Sequence, residues 1–172
     1  LGGAASVIEA TYQHTHQNHA TMETMNATAK VTLSAAGAPE RCEVWTPTQN
    51  GEAALAAAAE ASGLQPAQCE VYKLHLGGGF GRRGAVHDWV RQAVAVARQM
   101  PGVPVKLIWS REEDMLHGRY HPLTMARMRA GVDAQGKVTA LQMRLSGQSI
   151  LASVAPQNIR DGIDPVAFQG LN

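Results

Sequence analysis

Cysteine is scarce in this chain. Cys42 and Cys69 are the only two among 172 residues. They lie far apart and lack a Cys-x-x-Cys partner, which excludes a disulfide framework and an iron–sulfur or zinc signature. Both are expected as buried thiols. Long apolar runs are missing too: no stretch is long enough to cross a bilayer as a helix, and no signal peptide is visible. Charge of one sign is not in excess. A net charge of +1 supplies no general attraction for nucleic acid, and the arginines form neither a long basic block nor a basic–aromatic interleave. No Ser-His-Asp or Cys-His set can be assembled for nucleophilic catalysis.

What is present has the pattern of a mixed α/β (α+β) domain, a mixed sheet with β-hairpins and two to three packed helices. Ser6–Gln13 is β-branched and aromatic, Ala27–Leu33 alternates, and Cys42–Thr46 returns as its hairpin partner after a turn at Gly37-Ala38-Pro39-Glu40. Glu52–Ala61 is alanine-rich and predicts a helix closed by Ser62-Gly63. Cys69–Leu76 predicts a strand, and Val86, Trp89, Val90, Ala93, Val94 and Ala97 space a helix from about Ala85 to Met100. Val103–Trp109 is a short strand, after which Ser110 is a plausible N-cap. Leu123–Val132 and Val138–Leu145 alternate around a glycine-containing turn, so one face of that hairpin is expected to be buried. The length fits a single domain, 1–172, with a loosely held tail over 146–172. The start at Leu1, running directly into a strand pattern, is that of a piece of a longer protein, which leaves the compartment open between bacterial periplasm and cytoplasm.

The densest feature is Leu74-His75-Leu76-Gly77-Gly78-Gly79-Phe80-Gly81-Arg82-Arg83. A strand breaks into four glycines around one phenylalanine, and a helix follows. Glycine lets a ligand approach the main chain, and backbone N–H groups with guanidinium groups suit an anion. The loop lacks the lysine and Ser/Thr of a Walker A motif and the spacing of a dinucleotide fingerprint. A tight strand-to-helix turn is the plain alternative.

Three other constellations have two readings each. His14-x-His16-x-x-His19 puts two imidazoles on one strand face, suited to a metal, but no carboxylate or cysteine completes a familiar set, so hydrogen-bonded histidines compete. Glu23, in a polar break, suits a general base if desolvated or a structural carboxylate accepting backbone N–H groups. Gln49 suits either an amide N–H aimed at a ligand oxygen or a cap for the helix that follows. Arg111-Glu112-Glu113-Asp114 reads as a solvated face with i,i+4 pairs.

The order of these motifs resembles the molybdenum hydroxylase family of xanthine dehydrogenases and aldehyde oxidases. The carriers are Gln17-x-His19-x-x-x-Glu23-Thr24, Thr48-Gln49-Asn50, Gly77-Gly78-Gly79-Phe80-Gly81, Arg111-Glu112-Glu113-Asp114-Met115 and Arg119-Tyr120-His121-Pro122. His19-Ala20-Thr21-Met22-Glu23, Val44-Trp45-x-Pro47-Thr48-Gln49-Asn50 and Phe80-Gly81-Arg82-Arg83-Gly84 most resemble the large (beta) subunit of the isoquinoline 1-oxidoreductase type. The resemblance implies part of the molybdopterin-binding region of a larger subunit. It implies a molybdenum cofactor, the cytosine dinucleotide form included, with no protein side chain on the metal. Gln49 would hydrogen-bond the metal's oxo group, and Gly78, Gly79, Phe80, Gly81 and Arg82 would form the cofactor-binding loop. Iron–sulfur clusters would sit on a separate small subunit, and the substrate would be an N-heterocycle or an aldehyde hydroxylated with water-derived oxygen. The family's catalytic glutamate, in a Gly-x-Gly-Glu segment, does not occur before Asn172, so this chain alone is expected to be inactive. The reading from another class is a non-catalytic anion-binding module built on the glycine loop, and a small histidine-ligated metal protein is a third.

Overall fold

The computed structural model describes residues 1–168. In chain order the longer strands are β1 (Ser6–His14), β2 (Asn26–Leu33), β3 (Pro39–Pro47), β4 (Cys69–Leu74), β5 (Val105–Ile108), β6 (Thr124–Val132) and β7 (Val138–Gly147). The helices are α1 (Gly51–Ser62), α2 (Asp88–Ala97), α3 (Arg111–His117) and α4 (Ile150–Val154). The mixed α/β class expected from the pattern is what forms. Residues Asn18–Arg119 make one compact unit, and Leu1–Gln17 with Tyr120–Asn172 make another.

The central unit is a four-stranded sheet in the order β4-β3-β2-β5. β3 pairs antiparallel with β2 and parallel with β4, and β5 runs antiparallel to β2. A parallel neighbour needs a crossover, and α1 supplies it between β3 and β4. The alternation of β2 sends Ala27, Ala29 and Val31 to one face, where they meet Cys42 and Val44 of β3. Ala57 and Ala58 of α1 and Trp89, Val90, Ala93, Val94 and Ala97 of α2 close that core. The five α2 residues are those whose i, i+3, i+4 spacing predicted the buried face.

Element ends differ from the sequence expectation for local reasons. The β2–β3 turn is shorter, since Pro39 and Glu40 already belong to β3. α2 begins at Asp88 rather than near Ala85 because residues 80–84 are spent on turns, and His87 takes the cap position. Asn50, not Gln49, caps α1: its side chain accepts from the Ala53 N–H, and Gly63 closes the other end in the left-handed conformation. Ser110 caps α3 as expected, accepting from the Glu113 N–H.

The second unit is an antiparallel sheet in the order β1-β6-β7. Its register puts Ile8, Ala130 and Leu141 side by side, then Ala10, Met128 and Met143, then Tyr12, Ala126 and Leu145. The opposite face carries Glu9 paired with Arg127 and Arg129. Alternation thus separates apolar from charged as expected, but the apolar face is not buried: Ile8 is 62% and Leu141 65% exposed. Among the described residues no helix layer of this unit covers it. Beyond Gly147, where the sequence pattern fades, α4 forms with Ser149 as its cap, and Ser149 Oγ donates to Asp164. The last four positions of the expected loose tail lie outside the described residues. No helix among the described residues is long and apolar enough to cross a membrane.

Candidate functional site

The glycine loop leaves the end of β4 and runs beside residues 21–23 and Gln49, all within the central unit. Its glycines are required for two different reasons. Gly78 (φ 104°) and Gly81 (φ 99°) adopt left-handed angles that a Cβ disfavours. Gly77 and Gly79 instead make room for neighbours. A Cβ on Gly77 would collide with Glu23, and one on Gly79 would stand 2.5 Å from Gln49 Oε1 and 2.6 Å from its Cδ. Phe80, also left-handed at φ 55°, is 66% exposed.

Gln49 is oriented by this loop. Its Oε1 accepts from the backbone N–H of Gly81 (3.1 Å) and of Arg83 (3.2 Å), and its own N–H donates to Arg83 O (3.1 Å). A backbone N–H can only donate, so the amide oxygen must face inward and the NH2 outward. Among the described residues that NH2 has no acceptor, and neither do the N–H groups of Gly78, Gly79 and Phe80. Gln49 and Phe80 are exposed and Gly78 and Gly79 partly so, and main-chain donors near a side-chain amide donor suit an anionic or acceptor-rich group.

Glu23 resolves to the structural alternative. Its carboxylate accepts from Gly77 N–H (2.8 Å) and Asn26 Nδ2 (2.9 Å), with Arg83 Nη2 at 3.4 Å. Those donors leave it holding the loop rather than receiving a substrate proton.

Both arginines turn inward. Arg82 is 3% exposed. It donates to both oxygens of Asp88 at 2.9 Å and lies over the rings of Trp89 (5.2 Å) and Trp109 (5.7 Å). Arg83 is fully buried and donates to the carbonyls of Gly78 (2.9 Å), Glu23 (2.6 Å), Pro47 (3.3 Å) and Thr24 (3.3 Å). Burial lowers its pKa, but a guanidinium so fully hydrogen-bonded stays charged. The loop's outer face is therefore main chain, Phe80 and Gln49, with the guanidinium groups supporting it from beneath.

Beneath Gln49, Thr48 Oγ1 lies 2.7 Å from His87 Nε2 and accepts from the Asn50 N–H. His87 is fully buried, and burial pulls its pKa down to about 4. Arg111 braces the other side through the carbonyls of Thr21 and Met22 and through Asp114. Asp114 is 2% exposed, so Arg111 and Asp114 form an internal brace, whereas Glu112, Glu113 and His117 are exposed as the solvated-face reading expects, with His117 Nε2 3.6 Å from Glu113 Oε1. His87 and the Asn50 cap escaped the sequence reading. Asn50 before Gly51-Glu52 is an N-cap signal, whereas nothing in the local sequence marks His87 as buried.

The histidine motif disperses. His16 Nδ1 lies 3.1 Å from His121 O and His19 Nδ1 lies 2.8 Å from Arg119 O. Among the described residues no cluster of three His, Cys, Asp or Glu could hold a metal. Cys42 and Cys69 are free thiols facing each other across the β3–β4 ladder. Cys42 is buried, its thiol pushed up to about 12 by burial, whereas Cys69 is only half-buried.

Replacing Gly79 with alanine is expected to destabilise the unit by about 2 kcal/mol, because the new methyl overlaps the Gln49 amide. Gly51→Ala, with open space around its Cβ, is the control that stays near wild type. Urea midpoints measured by circular dichroism separate the two.

The model of the molybdopterin cofactor-binding domain family matches residues 1–153. The beta subunit of isoquinoline 1-oxidoreductase from Brevundimonas diminuta is 33% identical over 119 residues, 67% of this chain and 15% of its own. Xanthine dehydrogenase from Blastobotrys adeninivorans is 34% identical over 104 residues, 60% of this chain and 7% of its own. The crystal structure of quinoline 2-oxidoreductase from Pseudomonas putida 86 superposes with a TM-score of 0.60 over 84% of this chain and 18% of its own, at 24% identity, and so shares the fold. The chain spans only a small part of the length of these relatives. It belongs to the molybdopterin cofactor-binding domain family of the molybdenum hydroxylases.

Proposed function

We propose that this chain forms one wall of the molybdopterin site in a molybdenum-dependent oxidoreductase, with Gln49 as the hydrogen-bond donor to the metal's oxo group and Gly78–Gly81 as the surface against the cofactor. The carrying observation is the amide of the exposed Gln49, whose oxygen is taken by the N–H groups of Gly81 and Arg83, leaving the NH2 as its open end. These residues fit a cofactor rich in anionic and acceptor atoms. When bound, the cofactor supplies the two-electron redox chemistry that hydroxylates a substrate carbon with oxygen from water.

This chain's residues contribute binding and orientation. The main-chain donors would hold acceptor atoms of the cofactor, and Gln49 would offer one N–H to the oxo group. Arg82 supports the cofactor-binding loop from beneath through Asp88. The substrate is an N-heterocycle or an aldehyde, the first supported by the names of the isoquinoline and quinoline relatives. On this reading iron–sulfur clusters on a small partner subunit would carry the electrons away, and the molybdopterin could take the cytosine dinucleotide form. The catalytic glutamate lies outside this chain, which by itself does not turn over. An anion module relying on Arg82 and Arg83 is less well supported, because both guanidinium groups are occupied internally.

Molybdenum and pterin should co-purify with the complete polypeptide and its partner subunit. Active protein free of molybdenum would overturn the proposal. Gln49→Glu, which keeps an inward acceptor but replaces the outward donor with a second acceptor, should lower cofactor retention about tenfold. Metal analysis and pterin fluorescence of the purified variant measure it.

A further inference from the structure

A side-chain amide can present either end to a ligand, and little but its own hydrogen bonds decides which. In Gln49 the decision rests on two backbone N–H groups, and one belongs to Arg83. We propose that Arg83 is the positioning residue of this site: its buried guanidinium ties three segments together, thereby fixing the Arg83 N–H under Gln49 and turning the amide's donor end toward the cofactor. The functional half of this statement rests on the reading of Gln49 given above; the geometric half does not.

The three segments are explicit. Arg83 Nη2 holds the carbonyls of Glu23 and Thr24, and Nη1 holds Pro47, two residues before Gln49. Nε reaches back to Gly78, inside the same loop. The main chain of Arg83 meets Gln49 twice, once as donor to Oε1 and once as acceptor from the Gln49 N–H. A guanidinium carries five donors in a rigid plane, which is what spanning these acceptors requires; an ammonium is a compact charge with three rotating donors. Lysine at this position keeps the charge and loses the span.

The test uses the 172-residue chain, isotopically labelled for NMR. Scalar coupling across hydrogen bonds should join the amide nitrogens of Gly81 and Arg83 to Gln49 Cδ. In Arg83→Lys, hydrogen exchange at those two amides should accelerate about tenfold while the β2–β3 ladder keeps its wild-type rates. A wild-type chain without the couplings, or a folded Arg83→Lys variant with wild-type exchange at Gly81 and Arg83, overturns the proposal. Should the lysine variant not fold, Glu23→Gln removes the carboxylate charge 3.4 Å from Arg83 Nη2 while leaving the carbonyl anchors in place, and exchange at the same amides should rise about threefold; unchanged rates there overturn it equally. Cofactor retention in the complete protein is read separately. Couplings present without molybdopterin binding support the positioning role and retire the functional reading, and binding without the couplings does the reverse.

Discussion

Trp89→Ala is expected to lower stability by about 4 kcal/mol, the largest effect of any single truncation in the central unit. Trp89 is fully buried, and its Nε1 donates to Thr46 Oγ1 at 2.9 Å. Its ring packs 4.8 Å from His87 and lies under the guanidinium groups of Arg82 at 5.2 Å and Arg83 at 5.9 Å. Alanine leaves a cavity the size of an indole directly beneath two buried charges, and the residues around it belong to rigid elements that collapse only in part. Trp89→Phe refills most of that volume and loses only the Nε1 bond, for about 1 kcal/mol. Urea unfolding followed by circular dichroism should show the two midpoints well apart with similar slopes. Midpoints that coincide would mean the ring is not what fills this core.

A second large effect is a loss of stability in mild acid that depends on His87. Burial holds the folded pKa at about 4, against an ordinary value of 6.5. The unfolded chain therefore binds a proton that the folded chain excludes. The stabilisation is complete above pH 6.5, declines as the pH falls from 6.5 toward 4, and is fully lost below 4. At about 1.4 kcal/mol for each pH unit, the total is roughly 3 kcal/mol. His87→Phe retains an aromatic ring against Trp89 and leaves Thr48 its bond from the Asn50 N–H. Its stability curve should lack this decline, so the difference between variant and wild type across that range isolates His87. Parallel curves would show that His87 does not exclude the proton.

The elements were legible where short-range pattern decides them. The spacing from Trp89 to Ala97 gives the buried face of α2 because helical geometry leaves no other face for it. The β2–β3 hairpin follows from alternation in the same way, and Ser110 from its position before three acids. The candidate loop was legible as a place. Its chemistry was only partly so, because the direction of a side chain depends on what the rest of the chain puts nearby. Arg82 and Arg83 look like surface anion ligands until Asp88, Glu23 and three distant carbonyls are brought to them. Asp114 looks solvated until Arg111, which also holds the carbonyls of residues 21 and 22, pairs with it. The apolar face of β1, β6 and β7 shows the converse: alternation names the face, but covering it takes a layer that the described residues of this unit do not supply.

The close fit of Gly79 against Gln49 also constrains how such a site can change over evolutionary time. Any side chain at 79 must enter space that the amide already fills, so the two positions form an epistatic pair. Enlarging 79 first is penalised, whereas shortening 49 first opens the way but removes the outward donor. Gly77 is held more tightly still, because a Cβ there would stand 2.4 Å from Glu23 Cβ, an atom that every residue but glycine carries. A lineage retaining its amide is therefore held to glycine opposite it, and drift toward a bulkier loop must pass through a sequence that has already surrendered the contact.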